Sequence, residues 1–264
     1  MIIRDLLNYF QSLAGDWSYP AETVDTLKSG QQDWEIGGIA VSWMSFTSAL
    51  QKAFDLGCNV FITHEPTFYD HYDMDPSILA IPSVRAKRDW IEQHRMAVYR
   101  CHDLWDRLPH IGIVDTWGEF LGFSNPVASD DYVRVYQIDP QPALTLARMV
   151  ATRLQTLNQP GVQLIGPSTV PVRSVCIGTG AITPFIQSLE RFQIDIAICT
   201  DDGINYWRDG AYAIDMHIPL IVVNHPVSEE AGVKRLAETL MTSFPQVPVF
   251  HIPQRCMYQL VKGE

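Results

Sequence analysis

The chain has 264 residues, 47% of them hydrophobic and only 19% charged, so it can bury a substantial core and is too apolar for long disordered stretches. Its 30 acidic against 19 basic side chains give a formal net charge of −11, which argues against a general binder of phosphate backbones and hence against a nucleic-acid partner. Five cysteines, an odd number with no C-x-x-C pair, indicate neither a disulfide framework nor a zinc ribbon.

The opening stretch MIIRDLLNYFQSL lacks the basic leader, apolar block and small-residue cleavage site of a signal peptide, and its apolar spacing predicts a helix over residues 2–13. No apolar run approaches the roughly 20 residues of a membrane span, so no membrane partner is expected and the expected compartment is the reducing cytoplasm. A strand over 37–41 and a helix over 45–56 follow. The apolar run CNVFIT, residues 58–63, reads as a strand that stops at His64. Residues 83–94 read as a helix, leading to a strand over 96–101 that ends in His102-Asp103. Gly122-Phe123-Ser124-Asn125-Pro126 is a cluster of turn formers, dividing the chain into expected lobes 1–125 and 126–264.

In the second lobe the pattern predicts strands over 131–138, 172–177, 194–199 and 220–223, with helices over 144–157, 183–192 and 228–240. Strands alternating with helices predict an α/β fold with largely parallel sheets covered by helices.

Ligands in such sheets gather beyond the carboxyl ends of the strands. Four strand ends here carry polar clusters: His64-Glu65, His102 through Asp106, Thr200-Asp201-Asp202, and His225 through Glu229. Imidazole and carboxylate together form the ligand set of zinc, iron and manganese. Each cluster also has a plainer reading. His64 and Glu65 fit caps of a following turn, with Pro66 ending the strand. Glu229 and Glu230 suit the positive end of a helix dipole that Ser228 can cap. If the last helix starts by Pro226, the four-residue spacing of His225 and Glu229 places both on one face. Gly178-Thr179-Gly180 lacks the rest of a phosphate loop and fits an ordinary strand-to-helix turn, and neither a G-x-S-x-G elbow nor an H-E-x-x-H motif occurs.

These clusters, in this order, resemble the NGG-interacting factor three-like family, whose bacterial members are often labelled type 2 GTP cyclohydrolase I homologues. The resemblance runs through Asn59-Val60-Phe61-Ile62-Thr63-His64-Glu65-Pro66, the stretch Tyr99 to Asp106, Val175 to Gly180, Ala197 to Asp202, and Val223 to Glu229. It implies two related three-layer α/β lobes with mostly parallel sheets, a dinuclear metal site in the cleft between them, and a ring-shaped homohexamer. His64 falls on the first histidine of the family's Thr-His-His-Pro pattern, and Glu65 stands where the second usually is. Asp106 matches the aspartate that ends the family's His-Thr-x-x-Asp stretch. His225 and Glu229 match the C-terminal histidine and glutamate, although Pro226 replaces the family's tyrosine.

The implied cofactors are two divalent ions per chain, zinc, iron(II) or manganese, held by His64, Glu65, Asp106, His225 and Glu229. Glu65 offers an anionic oxygen in place of a neutral nitrogen, which favours manganese or iron(II) over zinc at that position. A bridging carboxylate falls to Glu229 or Asp106, and His102 stands close enough to support a ligand or shuttle a proton. The expected activity is a metal-dependent hydrolase acting on a small, nucleotide-like substrate. The alternative is a non-catalytic metal-binding, metal-carrier or regulatory protein.

Overall fold

The computed structural model describes residues 1–15, 17–181, 184–261 and 263. In chain order the first elements are α1 (Ile3–Leu13), β1 (Leu27–Ser29), β2 (Ile39–Ser42), α2 (Thr47–Asp55), β3 (Val60–Thr63), α3 (Pro76–Leu79), α4 (Pro82–Gln93), β4 (Ala97–Arg100) and α5 (Asp103–Arg107). Then come α6 (Ile113–Phe120), β5 (Ala128–Asp130), β6 (Val133–Pro142), α7 (Ala143–Leu154), β7 (Gln163–Ile165), β8 (Pro171–Gly178), α8 (Phe185–Phe192), β9 (Ile196–Thr200), α9 (Ala211–Asp215), β10 (Leu220–Val223), α10 (His225–Ser243) and β11 (Val249–His251). The helix expected over 183–192 is α8; its expected start, Thr183, lies outside the described residues.

Two compact units divide the chain. One is Met1–Leu108 with Val233–Pro253, the other Pro109–Gly232 with Gln254–Glu264.

The sheet of the first unit has the order β1-β4-β3-β2-β11. Its last four strands run parallel, and β1 pairs antiparallel at the edge. All four residues of β2, of β3 and of β4 are buried, as parallel strands covered on both faces require. Ala40, Phe61 and Val98 form a core with Leu50 and Ala53 of α2 and Val84 and Ile91 of α4. By the two-residue alternation of a strand, Val41, Ile62 and Tyr99 face the other side, where Phe10 of α1 stacks on Tyr99 with centroids 5.2 Å apart. Helix α1 forms because Ile3, Leu6 and Phe10 make one apolar stripe, while the Asp5 carboxylate accepts a hydrogen bond from the Ile2 amide at 2.9 Å.

The second sheet has the order β5-β6-β8-β9-β10-β7. It is mixed. Strands β8, β9 and β10 run parallel at its centre, while β5, β6 and β7 pair antiparallel. Only two residues join β5 to β6, and so short a connection closes a hairpin and cannot make a parallel crossover. Trp117 and Leu121 join Leu146 and Val150 of α7 against Val175, Ile198 and Ile221 on one face. Phe185 of α8 and Ala213 of α9 cover Cys176, Cys199 and Val222 on the other. Gly118 allows the close approach of α6 to β6, because a Cβ there would overlap the Tyr136 hydroxyl. No described helix is long and apolar enough to cross a membrane.

Candidate metal centre

In the first unit β3 and β4 are neighbours in register, with Thr63 opposite Arg100. The residues just past them, His64-Glu65 and Cys101-His102, therefore emerge side by side at the carboxyl edge. His64 is buried, and its Nδ1 lies 3.0 Å from the Cys101 carbonyl oxygen. A carbonyl only accepts, so the ring hydrogen belongs on Nδ1 and the lone pair on Nε2. That Nε2 lies 3.3 Å from Asp106 Oδ1. Asp106 is buried on α5, and its Oδ1 receives no hydrogen bond from the described residues.

A distant segment fixes the helix that carries Asp106. The Asp25 carboxylate accepts from the amides of His102, Asp103 and Leu104 at 2.7, 2.8 and 2.9 Å, capping the start of α5. His102 stacks on His64 with centroids 4.7 Å apart, and its Nδ1 donates to Asp103 Oδ1 at 3.0 Å. Burial works against the charged form of His102, but the Asp106 charge and the Asp103 hydrogen bond outweigh it and raise its pKa. Burial acts on Asp103 in the opposite sense. Hydrogen bonds from His102 and from Thr23 Oγ1, at 2.7 Å, hold that carboxyl well below its usual range.

Glu65 lies 3.3 Å from Nη2 of Arg100, and its other oxygen is 3.9 Å from His102 Nε2. Arg100 is fully buried and also donates to the carbonyls of His64 at 2.9 Å and His71 at 2.5 Å. It therefore balances the charge of Glu65 and pins the backbone after β3. His64, His102 and Asp106 together place one nitrogen or oxygen each within 4.8 Å of one another, a group able to hold a metal ion.

In the second unit β9 and β10 are parallel neighbours, with Thr200 opposite Val223. His225 opens α10, three residues earlier than the expected helix start. Pro226 is tolerated there because a first-turn residue has no use for an amide hydrogen. Glu229 follows one turn later, with Oε1 3.1 Å from His225 Nε2. Both side chains are buried. Asp201 clamps the turn, accepting from the His225 amide at 3.1 Å and from Asn224 Nδ2 at 2.8 Å, while Asp202 Oδ2 meets His225 Nδ1 at 2.8 Å. Gly180 (φ +69°) leaves space beside this pair: a Cβ there would stand 3.2 Å from Glu229 Oε1 and 3.8 Å from His225 Nε2.

These residues fit divalent ions. Separations of 3.3 and 3.1 Å between an imidazole nitrogen and a carboxylate oxygen suit adjacent ligands on an ion bound at about 2.0–2.2 Å. The Gly180 space and the buried Asp106 Oδ1 point the same way. Thiolate ligation has no comparable basis: burial pushes Cys58 up to about 11, Cys176 up to about 12, and Cys101 and Cys199 well above their ordinary value.

The structure thus gathers His64, Glu65, Asp106 and His102 in the first unit and His225 and Glu229 in the second. Reading the sequence did not single out Arg100 or Asp25, because nothing local marks an arginine inside an apolar strand or an aspartate far from the helix it caps. Asp202 was visible as a polar residue at a strand end, but its partner was not.

Solved structures share the fold over nearly their whole length. The Staphylococcus aureus protein SA1388 is 15% identical, with a TM-score of 0.83 over 99% of both chains. A Bacillus cereus protein related to NIF3 is 13% identical, with a TM-score of 0.80 over 100% of this chain and 99% of its own. TTHA1606 from Thermus thermophilus is 16% identical, with a TM-score of 0.76 over 98% of this chain and 100% of its own. No curated relative matches the sequence. The family model described as Duf34/NIF3 (NGG1p interacting factor 3) matches residues 1–256, and with that match over nearly the whole chain the protein belongs to the Duf34/NIF3 family.

Proposed function

We propose that this chain binds two divalent metal ions through His64, Glu65 and Asp106 of the first unit and His225 and Glu229 of the second, and is a metal-dependent hydrolase of a small, nucleotide-like molecule. One observation carries the reading: each unit presents a buried imidazole and a carboxylate at ligand spacing, with Nδ1 of the ring already held by another group. Bound divalent ions lower the pKa of water and so supply hydroxide near neutral pH.

The chain's own residues have distinct tasks in this scheme. His64 and His225 present Nε2. Asp106 and Glu229 add anionic oxygens of the hard kind that suit manganese, iron(II) or zinc. Arg100 stands 3.3 Å from Glu65 and offsets its charge beside His64. His102, held at Nδ1 by Asp103, is placed to take up and pass on a proton at Nε2.

Elemental analysis of protein purified without chelator tests the metal reading. About two ions per chain, falling in Glu229→Ala and His64→Ala, is the expected result. No stoichiometric ion, even after anaerobic reconstitution with manganese, iron(II) or zinc, would overturn it. A second reading, a non-catalytic metal carrier, draws on the burial of His64, Asp106, His225 and Glu229, since enclosed ligands suit retention of an ion. Turnover of nucleotides by the loaded protein, lost in His102→Ala with metal content kept, decides for the hydrolase.

A further inference from the structure

We infer that Asp202 is a positioning residue that sets which nitrogen of His225 faces a metal ion. The inference rests on the metal reading proposed above and assigns a role to a residue outside its ligand set.

An imidazole with no neighbours can turn either nitrogen toward an ion, and which one it presents follows from what holds the other. His225 is caught on both sides. Asp202 Oδ2 stands 2.8 Å from Nδ1, and Glu229 Oε1 stands 3.1 Å from Nε2. An ionised carboxylate only accepts, so the contact with Asp202 draws the ring hydrogen to Nδ1. The Nε2 lone pair is then aimed to the side where Glu229 and the Gly180 space lie.

The backbone makes the arrangement rigid. Asp201 accepts from the His225 amide and the Asn224 side chain, and its own amide donates to Val223 O at 2.9 Å. The segment bearing Asp202 is thereby tied to the strand end bearing His225. The Asp202 side chain is half exposed, so it can be replaced without opening the core.

The two other imidazoles of the candidate site follow the same rule. Nδ1 of His64 is held by the Cys101 carbonyl and Nδ1 of His102 by Asp103. Three rings, held by three different acceptors, all present Nε2. A carboxylate acting through a histidine in this way also makes the ring a stronger donor.

The test compares Asp202→Ala and Asp202→Asn with the parent protein by zinc competition against a chromophoric chelator. Loss of such a support weakens binding about 10- to 100-fold, which is expected for Asp202→Ala. The asparagine oxygen still accepts from Nδ1, so Asp202→Asn should lose far less. In zinc-loaded parent protein, nitrogen-15 NMR should show hydrogen on Nδ1 of His225, and that resonance should disappear in Asp202→Ala. Equal zinc affinity in parent and Asp202→Ala, or an Nδ1 resonance that survives in the alanine variant, would overturn this inference and leave the metal reading intact. A parent protein that binds no ion would overturn both.

Discussion

Arg100 and Glu65 stand 3.3 Å apart at the carboxyl ends of two neighbouring parallel strands, and the guanidinium is fully buried. The same guanidinium holds the carbonyls of His64 and His71, so one side chain of β4 shapes the whole turn after β3. Removing one partner of a buried ion pair leaves the other charge uncompensated, at about 3–5 kcal/mol. Arg100→Met should therefore lower the unfolding free energy by that order, read from urea denaturation curves. Adding Glu65→Gln should recover part of the loss, because the orphaned carboxylate is gone. Additive losses in the double variant would show that the pair is not coupled.

Glu65→His would restore two adjacent histidines and replace an anionic oxygen with a neutral nitrogen. Under the metal reading, preference should move toward zinc over manganese by at least about tenfold, since imidazole suits zinc and carboxylate suits manganese. Competition between the two ions, read by elemental analysis, checks this. An unchanged ratio would remove Glu65 from the ligand set.

Lys87 gives the structure a measurable alkaline signature. Burial lowers its pKa to about 8, with the Asp73 charge opposing part of the shift. The ammonium donates to Thr67 O at 2.5 Å and sits 4.8 Å from the Tyr69 ring centroid. Between pH 8 and the ordinary lysine value of 10.5 the unfolded chain binds more protons than the native one, so stability rises with pH. The gain is complete only above 10.5 and amounts to about 3 kcal/mol. Lys87→Met should flatten that rise relative to the parent in denaturation curves recorded from pH 7.5 to 10.5. Parallel curves would show that Lys87 is not desolvated.

Gly118 tests the close packing of α6 on the second sheet. A Cβ at this position meets the Tyr136 hydroxyl and the Ile177 side chain. Gly118→Ala should cost about 1–3 kcal/mol, the range for overpacking, despite alanine's better helix propensity. Tyr136→Phe in the same chain should relieve part of it. A stabilised Gly118→Ala would mean that α6 shifts freely.

Much of this protein was determined by local pattern. The apolar stripe of Ile3, Leu6 and Phe10 marks α1, and the buried runs at 60–63, 97–100 and 220–223 mark parallel strands, because burial on one side or on both writes its period directly into the residues. The polar clusters stood out for the same reason: His64-Glu65 and His225 break apolar runs abruptly. What the tertiary structure alone decided depends on partners distant in sequence. The three-residue strands β1, β5, β7 and β11 have no period of their own and exist only by pairing, β11 beside β2 across some two hundred positions. The mixed pairing of the second sheet was likewise decided by which strands meet, since β6 lies antiparallel to β8 and β7 to β10, and neither direction is written in the strands' own residues. The supports of the candidate site follow the same logic. Asp25 caps a helix 77 positions away, Asp202 meets a histidine 23 positions on, and Arg100 matches a charge just past the end of the neighbouring strand. Ligand types are written locally, but the orientation of a ring or a carboxylate is set by hydrogen bonds that form only once the strands are side by side.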